Sequence, residues 1–119
     1  KLFLKSLRYA MAGLAAVARR ERNFRIEVFI ALLVVTLGAI LQISSLHWII
    51  LLLNIGAVLA AELFNTAIES FCDVVQPEID LRIKLIKDVS AAAVLVLACI
   101  AAICGATIFI PNLLKIFPL

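Results

Sequence analysis

Val28–Ala61 reads VFIALLVVTLGAILQISSLHWIILLLNIGAVLAA, 34 residues without one Asp, Glu, Lys or Arg. A transmembrane helix takes about 20 apolar residues, so this run is too long for one span and suits parts of two. Its only polar cluster is Gln42-Ile43-Ser44-Ser45, with Gly38 loosening the chain just before. Span one is therefore expected at about Glu27–Leu41. Span two should begin near Leu46 and continue to about Val75, where Gln76-Pro77 stops it, because the residue before a proline is pushed out of helical geometry. A second charge-free stretch, Val89–Ile110, runs for 22 residues and predicts span three, closed by Pro111-Asn112. Open sheet edges are not viable in hydrocarbon, so the spans should be helices.

Composition agrees. Of 119 residues, 66% are hydrophobic and 16% charged, and the mean hydropathy is +1.19. Soluble domains hold about 45–50% apolar and about 25% charged residues, so no soluble core of this size could absorb the surplus. Disorder is excluded, since disordered chains are poor in hydrophobic residues. The three cysteines, Cys72, Cys99 and Cys104, are odd in number and lie in apolar runs, which excludes a secreted disulfide scaffold. The expectation is one all-α integral-membrane domain over residues 1–119.

The first 25 or so residues differ in kind. Lys1, Lys5, Arg8, Arg19, Arg20, Arg22 and Arg25 are seven of the eleven basic residues. Leu4, Leu7, Met11, Leu14 and Val17 recur between them at spacings of three and four, one apolar stripe on a helix. A basic amphipathic helix of this kind lies in the membrane interface, its cations near anionic head groups. The chain opens on Lys1, so further residues are expected to precede it. The span one–two connection has no basic residue, the next has Arg82, Lys84 and Lys87, and the tail has Lys115. Cytoplasmic segments collect Lys and Arg, so three spans are expected to put the N-terminus inside and the C-terminus outside.

The eight acidic residues carry the chemistry. Glu62, Asn65, Glu69 and Asp73 are spaced i, i+3, i+7, i+11 along span two. At about 100° per residue they fall within an arc of roughly 80°. Asp73 should stand near the cytoplasmic mouth, with Glu69 about 6 Å and Glu62 about 16 Å deeper. An intramembrane acid costs on the order of 2.5–3.5 kcal/mol even on the mildest scale, so such a stripe needs a compensating role. Glu21 and Glu27 should end the interfacial helix on the same side, and Glu78, Asp80 and Asp88 should flank the inner loop. Clustered carboxylates repel unless a proton or a divalent cation lies among them. Mg²⁺ takes one or two carboxylates and fills its other positions with water and substrate phosphates, which points to nucleotide chemistry at the inner face. With glycine only at 13, 38, 56 and 105 there is no P-loop, kinase Gly-rich loop or Rossmann fingerprint.

At these residues the chain resembles the small bacterial membrane lipid kinases, the prokaryotic diacylglycerol kinases and their undecaprenol kinase relatives. The likeness runs from about Tyr9 to Asn112. It is carried by Glu21-Arg22-Asn23-Phe24-Arg25-Ile26-Glu27, by Glu62-Leu63-Phe64-Asn65-Thr66-Ala67-Ile68-Glu69 with Asp73, and by Lys87-Asp88 leading into Ser90–Val94. The resemblance implies an N-terminal surface helix plus three transmembrane helices assembled as a homotrimer. It implies an enzyme that moves the γ-phosphate of ATP to the hydroxyl of diacylglycerol or undecaprenol, with Mg²⁺ as cofactor and no nucleic-acid partner.

Residue by residue, the resemblance makes Glu62 the catalytic base, with Asn65 beside it orienting the base or the acceptor. Glu21 and Glu69 match the Mg²⁺ ligands. Tyr9, Asp73, the Glu78-Ile79-Asp80 loop, Lys87 and Asp88 match the nucleotide site. The chain departs from the family's pattern at Leu2, where an arginine is usual, at Ile79-Asp80, where relatives often carry Tyr-His, and at Ile83 and Ile86, where small residues are usual. Read without the resemblance, Asn65 serves equally as interhelical glue, Lys87 as a topology anchor, and Ala98, Ala102 and Ala106 as a close helix contact. The alternative function is a small proton-coupled transporter using an intramembrane Glu, and a third is a silent assembly subunit.

Overall fold

The computed structural model describes residues 1–118. Four helices follow one another: α1 Leu2–Arg20, α2 Arg22–Leu41, α3 Ser45–Val75 and α4 Leu81–Ile116. The last three are each long and apolar enough to cross a membrane. This is the expected all-α membrane architecture, a basic N-terminal helix followed by three spans.

Helix α1 buries no residue, as an interfacial helix with nothing beneath it but lipid should. It ends at Arg20, five residues earlier than expected. The reason is local: Glu21 adopts extended geometry (φ −105°, ψ 111°), closing α1 through its N–H on the Val17 carbonyl and opening α2. Arg25 then reaches back, its guanidinium donating to the carbonyls of Ala18 and Arg19 at 2.9 Å each. Those acceptors are among the orphan carbonyls of a helix end, where cations are also favoured by the helix dipole. Glu21 therefore ends the surface helix, as the sequence suggested, but Glu27 does not. Glu21 is the joint between α1 and α2, and Glu27 belongs to α2.

The α2–α3 connection is three residues long, which forces the two helices to run antiparallel. Gln42 takes left-handed geometry (φ 52°, ψ 52°) and its N–H reaches the Ala39 carbonyl, while Ile43 N–H bonds the Gly38 carbonyl at 3.2 Å. This is the paired closure of a Schellman motif. Gly38 makes it possible: a methyl group there would stand 3.1 Å from both Ile43 Cδ1 and Trp48 Cη2. Ser44 caps α3 by accepting from His47 N–H at 3.2 Å.

At the other end, Gln76–Asp80 joins α3 to α4, and Asp80 caps α4 by accepting from Arg82 N–H at 2.8 Å. Pro111 does not end α4, contrary to expectation; the helix continues to Ile116. Pro111 removes one helical hydrogen bond, but a span embedded among neighbours tolerates this. Asn112 supports the next turn by donating from Nδ2 to the Ile108 carbonyl at 2.6 Å. Thr36, Asn54 and Thr107 likewise return their polar groups to the carbonyl four residues earlier, at 2.8 Å in each case. These four polar side chains are thus satisfied within their own helices.

The hydrophobic core lies at the Gln42 end. Ile43, Leu51, Ile108 and Phe109 are buried there, with Val34, Leu37, Leu41 and Trp48 packed around them. Helices α3 and α4 form the main packing pair, and α2 is clamped to them at this end. Toward the acidic end Phe24, Val58, Glu62, Thr66, Cys72 and Val94 are also buried.

Candidate functional site

The sequence stripe on α3 is real. Glu62 and Thr66, one turn apart, are the buried polar residues of the molecule, 7% and 8% exposed. Asn65 and Glu69 are half-buried on the same face, and Asn65 Nδ2 donates to Glu69 Oε1 at 3.4 Å. Asp73 emerges into the open and pairs with Lys87 Nζ of α4 at 2.5 Å. The stripe thus passes from a buried carboxyl to an exposed one over three helical turns.

Glu62 has a partner that the sequence did not single out. Glu27 of α2 brings its carboxyl close enough to that of Glu62 for the two to interact electrostatically. Two carboxyl groups this close repel unless a proton or cation is shared between them. Glu27 Oε2 is buried without any partner, and so is Asn65 Oδ1. Buried oxygens left unpaired are costly. The available signal for Glu27 was that an acid opens span one six residues after Glu21. Thr66 gave no signal beyond its place in the motif.

Two cavities open nearby, one lined by Glu27 and the other by Asp73. The first is a groove of about 570 Å³ between α2, α3 and α4. It starts at Glu27 and runs past Ile30, Val34, Val58 and Leu51 to Phe109 and Ile110. Its floor is Ala98, Ala101, Ala102, Gly105 and Ala106 of α4. Ala98, Ala102 and Ala106 therefore do not close against a helix of the same chain; their small side chains leave an apolar channel open.

The second cavity is a polar depression of about 250 Å³ at the α3–α4 connection. Asp73, Glu78, Ile79, Asp80 and Lys87 all line it, with Gln76, Pro77, Ile83 and Lys84. The Arg82 guanidinium beside Asp80, 3.0 Å from its Oδ2, holds that carboxyl below the usual carboxylate range. Ile79 is fully exposed at the lip. Asp88 points elsewhere and pairs with Lys84 at 2.6 Å. Tyr9 is exposed on α1 and lines neither cavity.

Glu21, expected beside Glu69, sits half-buried at the α1–α2 joint and makes no ion pair or side-chain hydrogen bond among the described residues. No group of three or more His, Cys, Asp or Glu side chains converges among those residues. That does not disfavour Mg²⁺, which needs only one or two carboxylates when phosphates supply the rest. The hard oxygens of Glu69, with Asn65 Oδ1 unpaired nearby, suit such an ion.

The chain matches the prokaryotic diacylglycerol kinase family over residues 8–109. Among curated relatives, an undecaprenol kinase of Bacillus subtilis is 39% identical over 111 residues, covering 93% of this chain and 90% of the relative. A diacylglycerol kinase of Synechocystis is 37% identical over 114 residues, covering 95% of this chain and 65% of that longer protein. A diacylglycerol kinase of Escherichia coli is 30% identical over 100 residues, covering 84% and 82%. Nothing in the fold or the relatives supports a transporter. The match spans the surface helix, the α3 stripe and nearly all of α4, so the chain belongs to the prokaryotic diacylglycerol kinase family of membrane lipid kinases.

Proposed function

We propose that the protein transfers the γ-phosphate of ATP to the hydroxyl of a membrane lipid, diacylglycerol or undecaprenol, at the cytoplasmic face. One observation carries this reading: a single face of α3 runs from the buried Glu62 through Asn65 and Glu69 to Asp73, which pairs with Lys87 on the wall of a polar depression. The lipid hydroxyl arrives at Glu62 from the groove, entering laterally with its tail along the spans. The nucleotide arrives from the depression, against Lys87, Asp73, Glu78, Ile79 and Asp80, and the family resemblance alone adds Tyr9 and Asp88.

Glu62 removes the proton from the lipid hydroxyl. The freed oxygen attacks the γ-phosphorus as the bond to the β-phosphate bridging oxygen breaks, leaving ADP and the lipid phosphate. Asn65, anchored on Glu69, orients the base or the acceptor. Phosphoryl transfer depends on in-line positioning and neutralised charge more than on covalent help, and that is what this chain's side chains supply. Glu69 and Glu21 are the residues that would hold Mg²⁺, which when bound offsets the phosphate charge. The basic surface helix and the α3–α4 connection then lie inside the cell and Ile116 outside, in a homotrimer whose sites are completed between protomers.

The test is radiolabelled ATP with the purified protein in mixed lipid micelles. Label appearing in an organic-soluble phosphate is the expected result. Absence of transfer to either lipid alcohol would reject the reading.

A further inference from the structure

The positive charge of this chain is concentrated at one end. Residues 1–25 hold seven basic side chains and one acid, Glu21, whereas the rest of the chain holds four basic and seven acidic ones. The antiparallel spans put two basic segments on one side of the membrane, and these differ in how their charge is met. At the α3–α4 connection each cation has its own acid: Arg82 with Asp80, Lys84 with Asp88 and Lys87 with Asp73. Along α1 and its joint no cation pairs with an acid among the described residues. Arg25 is committed to the Ala18 and Arg19 carbonyls, while Lys5, Arg8, Arg19, Arg20 and Arg22 stand exposed. Like charges this close repel, and their counter-charge has to come from outside the chain.

Their direction says from where. At about 100° per residue, Leu4, Leu7, Met11 and Leu14 fill an arc of about 80° on α1. Lys5, Arg8 and Arg19 fill an arc of about 60°, centred about 110° round from that stripe. With the stripe in hydrocarbon, these three leave the helix sideways at the level of the head-group phosphates. Long basic side chains there keep their stems in apolar surroundings and their charge in the polar layer. The face opposite the stripe carries Leu2, Ser6, Tyr9, Gly13, Ala16 and one cation, Arg20. A soluble polyanion approaching that face meets little charge; a layer of anionic head groups meets all three lateral cations.

We propose that α1 is a docking surface for anionic phospholipid, with Lys5, Arg8 and Arg19 holding the head-group phosphates and the self-neutralised α3–α4 connection taking no part. Nothing in this docking depends on the reaction at the α3 stripe, and its test reads no turnover. Amide hydrogen exchange of the full chain is compared in nanodiscs of phosphatidylcholine alone and of phosphatidylcholine with about one-third phosphatidylglycerol. Residues 76–84, at the same surface, serve as the reference and cancel the lower hydroxide concentration beside anionic lipid. Relative to them, residues 2–20 should exchange at least about fivefold more slowly with phosphatidylglycerol, the scale of one cation held at an anionic leaflet. About 0.5 M NaCl should erase the gain. The triple variant Lys5→Gln/Arg8→Gln/Arg19→Gln should lose it, whereas Arg8→Lys/Arg19→Lys and, separately, Lys84→Gln should keep it; unchanged protection of α3 shows that each variant is folded. Equal exchange of the unaltered chain in the two lipids overturns the inference, as does a gain that survives high salt or the glutamine substitutions. Slowing of residues 2–20 by ADP in phosphatidylcholine alone, with no response to phosphatidylglycerol, assigns the cations to a nucleotide and overturns it too.

Discussion

Glu62 is buried on a helix that must cross hydrocarbon, which is an expensive position for an acid. Its neighbours suit a base more than a structural acid, because Glu27 presses against it and Asn65 leaves an oxygen unpaired beside it. Glu62→Gln is nearly isosteric and should keep the assembly while lowering turnover by at least about 10²-fold, the usual range for a lost general base; near-normal turnover would remove it from that role. Glu21→Gln and Glu69→Gln should instead raise the Mg²⁺ concentration needed for half activity. An unchanged metal titration for both would exclude them as the ion's holders. The stripe itself was legible from spacing alone, since residues three, four and seven apart share a helix face. Glu27 was not, because its contact with Glu62 is made between two helices, and periodicity within one segment cannot report it.

At the scale of elements, the connections hold most of the local information. Gln42 occupies left-handed geometry that costs a side-chain-bearing residue about 1–2 kcal/mol. Gln42→Gly should therefore raise stability by about 1 kcal/mol, whereas Gly38→Leu, which would drive into Ile43 and Trp48, should lower it by about 1–3 kcal/mol. Denaturant titration in a fixed detergent reads both, and the opposite order of the two variants would contradict the motif.

Asp80 gives a pH dependence. Its folded carboxyl lies below the ordinary carboxylate range, chiefly through the hydrogen bond from the Arg82 side chain. A depressed carboxyl stabilises fully above its ordinary value and loses that contribution as pH falls through the lower one. The start of α4 should thus loosen only below about pH 4, seen as faster amide exchange at Ile83 and Lys84, and Asp80→Ala should show the same loosening at pH 7. Turn and cap residues made α3 predictable almost to the residue. Pro111 misled because a proline ends helices mainly where water can take up the freed groups, and a span packed against a partner helix keeps its course.

The whole molecule is thin and open. Its radius of gyration is 17.7 Å, against about 13–14 Å for a compact globule of this length. The shortest dimension is 21 Å, about two helix diameters. One chain is therefore a slab that can flank an acidic stripe but cannot surround it. Chemical cross-linking in mild detergent should trap a trimer, and groove-side cross-links should join different chains; a monodisperse, fully active monomer would refute shared sites. The three spans and the basic end were readable from hydropathy and charge. The groove between α2, α3 and α4 was not, because it depends on how three helices pack.

The joint at Glu21 has a further consequence. A single residue separates two helices, and Arg25 latches one to the other, so their rotational phases are indexed like meshed gears. Adding or deleting one residue there would turn the amphipathic stripe of α1 by about 100° relative to α2. The leucines would lift out of the lipid and the arginines would be pressed into it. Substitutions in this short stretch are mechanically cheap, but its length admits no slack.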